Sequence, residues 1–157
     1  MDAIVLRPLR HGERKPVLDV FAGLSERSRR LRFLAMKPRL PERDLAYLVD
    51  VGCCGREAVA AVDQETGLTV GIARFVRDAA APEAEIAFEV VDAWQGQGVG
   101  RRLLTELKAL ALEQGILRFR ALIAHGHMPA FGLVHGVGEL LSRRYEDGSV
   151  ELVVRIS

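Results

Sequence analysis

The passage from Ala84 to Arg101 constrains the fold of this chain more than any other. It begins as an alternating segment, Ala84-Glu85-Ile86-Ala87-Phe88-Glu89-Val90-Val91, and crosses Asp92-Ala93-Trp94. It then enters Gln95-Gly96-Gln97-Gly98-Val99-Gly100-Arg101. Period-two alternation reads as a strand. The glycines let the backbone bend so that successive N–H groups point into one hollow. A helix follows, with Val99, Leu103, Leu107 and Leu110 in one apolar stripe and Gly115 as its stop signal. Its N-terminus adds unpaired donors and partial positive charge, and Arg101 sits in the first turn. Together these parts form an anion cradle suited to a pyrophosphate. Gly96-x-Gly98-x-Gly100 alone is equally compatible with a purely structural turn. The dinucleotide fingerprint fits poorly, because the third glycine falls one place early and the turn follows the third or fourth strand. A P-loop would need a Gly-Lys-Ser/Thr ending that is absent here.

The flanking elements extend this unit on both sides. Ile4 to Leu6 reads as a first strand closed by Pro8, Pro16 to Leu24 as a helix, and Ser25 to Leu34 as a second helix with Ser25 as N-cap. Pro38 and Pro41 stop that run, and Glu42 to Val51 has helical spacing. Strands are expected at Ala58 to Val62 and Val70 to Val76, joined by a hairpin turn at Gln64-Glu65-Thr66-Gly67. After the central helix come a strand at Phe119 to Ala124 and a glycine-weakened helix from Pro129. A hairpin from about Leu140 to Ile156 then turns at Glu146-Asp147-Gly148. Residues 1–157 thus read as one α/β domain, a mixed central β-sheet flanked by helices.

Charge and cysteine usage narrow the function classes. Lys plus Arg number 22 against 21 acids, a formal net charge of +1, which argues against a nucleic-acid or membrane binder. Charges break the apolar runs well before the roughly 18 residues of a membrane span. Met1 to Arg10 lacks a signal-peptide cleavage pattern. Cys53 and Cys54 are adjacent and cannot staple the fold in the ordinary way, so they read as small loop residues in a reducing cytoplasm. His125 and His127 have no third ligand at a supporting spacing, so no metal site is expected.

The central segment resembles the acetyl-CoA-binding core of the GNAT superfamily of N-acetyltransferases. Gln95-x-x-Gly98-x-Gly100 matches its Gln/Arg-x-x-Gly-x-Gly/Ala signature position for position. The order of elements is similar across nearly the whole chain. Ala84-Glu85-Ile86-x-Phe88 also resembles the histone-acetyltransferase branch, whose glutamate at this place is the general base. A narrower similarity is to the acetyltransferase domain of bacterial Pat-type protein lysine acetyltransferases. It rests on Ser25-x-x-Ser28-x-x-Leu31-Arg32-Phe33, on Asp44-Leu45-x-Tyr47-Leu48-x-Asp50-Val51, and on Val70 to Arg77.

The resemblance implies acetyl-CoA as cosubstrate, without metal, and a primary amine as acceptor, with a protein lysine favoured and Ser25 to Phe33 near it. It implies coenzyme contacts from Gln95, Gly96, Gln97, Gly98, Val99, Gly100 and Arg101, and from the backbone of Glu89, Val90 and Val91. It also implies Glu85 as base. Acetylation of a small amine, or a regulatory domain that binds acetyl-CoA without catalysis, remain alternatives. By period two, Glu85, Ala87 and Glu89 share one strand face and Ile86, Phe88 and Val90 the other. The second face reads as core, and the first as exposing two carboxylates. The chain departs from the family pattern twice. His127 stands where an Asn usually meets the coenzyme, and Val134 where many members carry a tyrosine as general acid. The basic segment Arg27, Arg29, Arg30, Arg32, Lys37, Arg39 and Arg43 reads first as a solvated face, and Trp94 as packing against the turn.

Overall fold

A computed structural model describes residues 3–33 and 39–157. The expected helix end at Leu34, the stop at Pro38 and Lys37 lie outside the described residues. The elements run β1 (Ile4–Pro8), α1 (Arg14–Gly23), α2 (Glu26–Phe33), α3 (Glu42–Leu48), β2 (Arg56–Asp63), β3 (Thr69–Arg77) and β4 (Glu83–Val90). After a short 3-10 turn (Asp92–Trp94) come α4 (Val99–Glu113), β5 (Arg118–Ala124), α5 (Met128–His135), β6 (Glu139–Glu146) and β7 (Ser149–Arg155). One mixed sheet holds the seven strands in the order β1-β2-β3-β4-β5-β7-β6. It is antiparallel throughout except where β4 meets β5.

Both faces of the sheet are covered. On one lies α4, whose stripe buries Val99, Leu103, Leu104 and Leu107; each buried leucine contributes about 2 kcal/mol. Leu104 takes the place expected for Leu110, which is only partly buried at the stripe's edge. On the other face, α1 buries Val17, Val20 and Phe21, and α3 buries Leu45 and Leu48. Ser25 caps α2 as its sequence implies, its Oγ accepting from the Ser28 N–H at 3.1 Å. The terminal hairpin turns at Gly148, at φ +76°. Its first strand, β6, is exposed along nearly its whole length and carries Arg143 and Arg144. Such charges suit an edge strand, because they discourage pairing with another chain.

This two-sided cover corrects the reading of Glu89. The period was right: Glu85 pairs with Val76, Ala87 with Arg74 and Glu89 with Ile72, without a register shift. Yet Glu89 is 8% exposed, whereas the Glu85 side chain is 55% exposed. Alternation says which face a residue points to but not what lies over it. Here α2 lies over Glu89.

The strand pair β4 and β5 opens the sheet. They pair in parallel over Glu83–Ile86 and Arg118–Ala121. Beyond Ile86 the two strands no longer pair, so the Ala87–Val90 backbone faces a gap on that side. Among the described residues, no helix is long and apolar enough to cross a membrane, and no group of three or more metal-ligating side chains is present.

Candidate active site

A cavity of about 410 Å³ fills that gap. Glu85 to Val90 form one wall and Leu122 to Ala124 another. The glycine turn and the first residues of α4 close one end, and Pro129, Ala130 and Leu133 of α5 close the other. The turn is shaped as its glycines require: Gly96 has φ +75° and Gly98, the N-cap of α4, has φ +86°. A Cβ on either would meet nothing within 4 Å, so both border open space. Gly100 serves a different need. A Cβ there would lie 2.8 Å from Leu133 Cδ1, so this glycine lets α4 and α5 approach each other. No side chain caps the α4 N-terminus and no carboxylate sits in its first turn. Its donors and partial positive charge are therefore available to an anion.

The cavity brings together most of the residues singled out in the sequence: Glu85, Glu89, Val90, Gln95, Gly96, Gly98, Val99, Gly100, Arg101 and His127 all line it. Two do not. Val91 is buried against Gly23. The Gln97 side chain turns away and donates to the Ala93 carbonyl at 3.1 Å. Gln95 is structural as well as lining, since its Nε2 donates to the Val90 carbonyl at 2.9 Å. His127 is the N-cap residue of α5. Burial, then the nearby Arg27, hold its imidazole below the ordinary histidine range, so the ring is neutral near pH 7 and can offer one donor and one acceptor. Trp94 is half-buried against the core and lines the same cavity. Val134 is fully buried.

A second cavity, of about 320 Å³, adjoins the first and is lined by residues of α2, α3, β3 and β4. Phe33, Asp44, Tyr47, Leu48, Arg74 and Val76 line it, and it shares Arg32, Glu85, Ile86 and Ala87 with the first. Glu85 therefore stands where the two cavities meet. Its Oε2 lies 3.2 Å from Arg120 Nη2, and Arg120 also reaches Glu83 and Glu151.

Glu89 sits in the partition between the two. Arg32 Nε donates to its Oε2 at 2.7 Å, and Arg74 Nη2 lies 3.7 Å from its Oε1. Arg74 is 5% exposed. Its Nη1 donates to the Leu48 carbonyl at 2.7 Å, while Nε and Nη2 have no hydrogen-bond partner. Burial pulls this guanidinium below its ordinary range and the neighbouring carboxylate opposes that; arginine remains charged under such conditions. The basic segment is thus divided. Arg29 donates to the Phe21 carbonyl and covers the Phe21 ring, and Arg32 holds Glu89. Arg27, Arg30, Arg39 and Arg43 are exposed. Arg120 was not singled out in the sequence; its signal was the pair of arginines alternating with apolar residues in Arg118-Phe119-Arg120-Ala121.

A sheet splayed between two parallel strands, with an uncapped glycine-rich helix start facing the gap, is the layout expected of an acyl-CoA-dependent transferase. The acetyltransferase (GNAT) family model matches residues 26–136. The chain belongs to that family, whose members are N-acetyltransferases with acetyl-CoA as cosubstrate. It is 30% identical over 140 residues, 88% of its length, to acetyltransferase Pat of Mycolicibacterium smegmatis. It spans 41% of that relative. The crystal structure of the GNAT domain of S. lividans PAT matches with a TM-score of 0.86 and 31% identity, over 96% of this chain and 89% of that one. The yncA structure from Salmonella typhimurium, with its cofactor acetyl-CoA, shares the fold: TM-score 0.71, 18% identity, 99% and 95% coverage.

Proposed function

We propose that this chain transfers the acetyl group of acetyl-CoA to a protein lysine, with Glu85 as general base. The observation that carries this reading is the position of an exposed carboxylate in the wall common to two cavities. The larger cavity takes the coenzyme. Its pyrophosphate lies against the α4 N-terminus between Gly96 and Arg101, and its arm follows the unpaired edge of β4 like an added strand. A backbone N–H there polarises the thioester carbonyl, and His127 hydrogen-bonds the coenzyme as a neutral imidazole. The smaller cavity takes the amine. Asp44 and Glu85 attract the ammonium, and Phe33 and Tyr47 flank its methylene stem.

The need for a base follows from the acceptor. A free lysine has a pKa near 10.4, so neutralising it at pH 7 costs about 4–5 kcal/mol. Glu85 accepts the proton, directly or through one water, as the nitrogen attacks the carbonyl carbon. The C–S bond then breaks, and the proton that the acylated nitrogen still has to shed passes through water to the departing thiolate. Val134 offers no acid, and a thiolate leaves tolerably without one.

The lysine acceptor is supported by the Pat-type segments that line the smaller cavity. Its test is to incubate the chain with acetyl-CoA and a protein extract, with free thiol and acetyl-lysine peptides as readouts. Acetyl-lysine on a restricted set of proteins is expected. Rapid turnover of small amines with no protein lysine modified would replace the acceptor. The coenzyme site has its own test. At φ +86° alanine is strained by about 1–2 kcal/mol, and its methyl group enters the space given to the phosphates. Gly98→Ala should therefore lose that much stability and bind acetyl-CoA about tenfold or more weaker by calorimetry. Valine is a poorer probe, because a β-branched side chain is a severe outlier there. Unchanged affinity in a folded Gly98→Ala variant would move the phosphate site elsewhere.

A further inference from the structure

Cys53 and Cys54 are the chain's two cysteines, and neither cavity involves them. They occupy the turn between α3 and β2, with both side chains exposed. Side chains of consecutive residues ordinarily point apart, to opposite faces of a strand or around a helix. Here they do not. Cys54 adopts φ +61°, an uncommon conformation that costs a non-glycine residue about 1–2 kcal/mol. In this turn the two Sγ atoms lie 2.7 Å apart. That is inside ordinary sulfur contact and outside a bond of about 2.05 Å.

The surrounding backbone holds this geometry without help from the sulfurs. Gly52 N–H donates to the Arg56 carbonyl at 2.8 Å, Arg56 N–H to Cys53 at 3.1 Å, and Arg77 N–H to Gly55 at 2.9 Å. A Cβ at Gly55 would lie 2.7 Å from the Arg77 carbonyl oxygen, so the turn is seated directly on β3. The cysteines fill no core position, and a packing role does not account for them. The hydrogen bond between the two sulfurs also pushes the Cys53 thiol above its ordinary range.

We propose that Cys53 and Cys54 form a redox site that closes reversibly into a vicinal disulfide, with a hydroperoxide as oxidant. One thiolate attacks the peroxide oxygen, the O–O bond breaks, and a sulfenic acid and water (or an alcohol) result. The neighbouring sulfur attacks that sulfenic sulfur. The S–S bond forms and hydroxide leaves, taking the second thiol's proton as water. Two electrons pass from sulfur to the peroxide, and a dithiol returns them by exchange. Adjacent Cα atoms are about 3.8 Å apart across a trans peptide, below the range of about 4.4–6.8 Å for ordinary disulfides. The ring is therefore strained, and strained, exposed disulfides are readily reduced. This describes a reversible site, not a staple. The turn it would fix follows α3, whose Tyr47 and Leu48 line the smaller cavity.

With two cysteines in the chain, any intramolecular disulfide is the vicinal one. Folded protein would be treated with a small excess of hydrogen peroxide, alkylated and weighed intact. The expected product is a monomer two hydrogens lighter that takes no alkyl group and regains two reactive thiols with dithiothreitol. Because the turn already aligns the sulfurs, closure should be about tenfold faster in the folded chain than in urea. Cys53→Ser and Cys54→Ser should instead accumulate a sulfenic acid that dimedone captures. Disulfide-linked dimers, a persistent sulfenic acid in the wild-type chain, or equal rates folded and unfolded would each overturn the proposal.

Discussion

Glu89→Ala is expected to destabilise the fold by about 3–5 kcal/mol, the usual cost of stripping one partner from a buried charge pair. The carboxylate lies between Arg32, at 2.7 Å, and Arg74, at 3.7 Å. Arg74 has nowhere to go: it is 5% exposed, and two of its three nitrogens already lack hydrogen-bond partners. Removing Glu89 leaves a nearly buried guanidinium at the edge of the smaller cavity with one carbonyl as compensation. Arg32, by contrast, can swing toward water, since its side chain is 17% exposed and it sits on the surface helix α2. The measurement is equilibrium unfolding in urea, where the midpoint should fall with the slope unchanged. A second arm separates charge from shape. Glu89→Gln keeps the volume and one acceptor, so it should lose less than alanine and clearly more than zero. A loss below about 1 kcal/mol for alanine would mean that solvent already neutralises Arg74. The structure thus gives Glu89 a holding role between the two cavities, distinct from that of Glu85 on the same strand face.

The contrast between these carboxylates marks where sequence stops being informative. The α4 stripe and the glycine turn were legible because a helix repeats every 3.6 residues and only glycine adopts positive φ freely. The turn at Gly96 and Gly98 follows directly. That Gly100 meets Leu133 does not, because the two lie on separate helices whose approach is a tertiary fact. The β4 alternation gave the correct parity, but exposure at Glu89 depended on α2 crossing above it. One local clue existed. Arg74 interrupts the apolar run Val70-Gly71-Ile72-Ala73-Arg74-Phe75, and a charge in a strand so buried needs a partner on its own face. The divergence of β4 from β5 after Ile86 left no such trace. How far two strands pair is a tertiary fact, and here a cavity that the α4 N-terminus and α5 help to line lies between them. The cavity itself was therefore invisible in the sequence, although most of its lining was named.

Glu85→Gln should lower turnover by about 10²–10⁴, the usual worth of a general base, while the acetyl-CoA affinity stays within a few-fold. The two effects separate because the coenzyme's expected contacts come from the backbone and from the α4 N-terminus. Stability should change by less than about 0.5 kcal/mol, since the side chain is largely exposed and its pairing with Arg120 is a solvated one. The loss should shrink as pH rises toward the lysine pKa near 10.4, where more of the acceptor is already neutral. Glu83→Gln is the control that fits the geometry. It removes the same charge from the same face of β4, and Glu83 shares Arg120 with Glu85, yet it lines neither cavity. If Glu85 is the base, Glu83→Gln leaves turnover nearly intact. Equal losses in the two variants would mean that the negative field around Arg120 draws in a cationic acceptor without any single base. An unchanged rate in Glu85→Gln would send the proton by another route. If thiol release is then no faster than in buffer, the domain binds acetyl-CoA without turning it over.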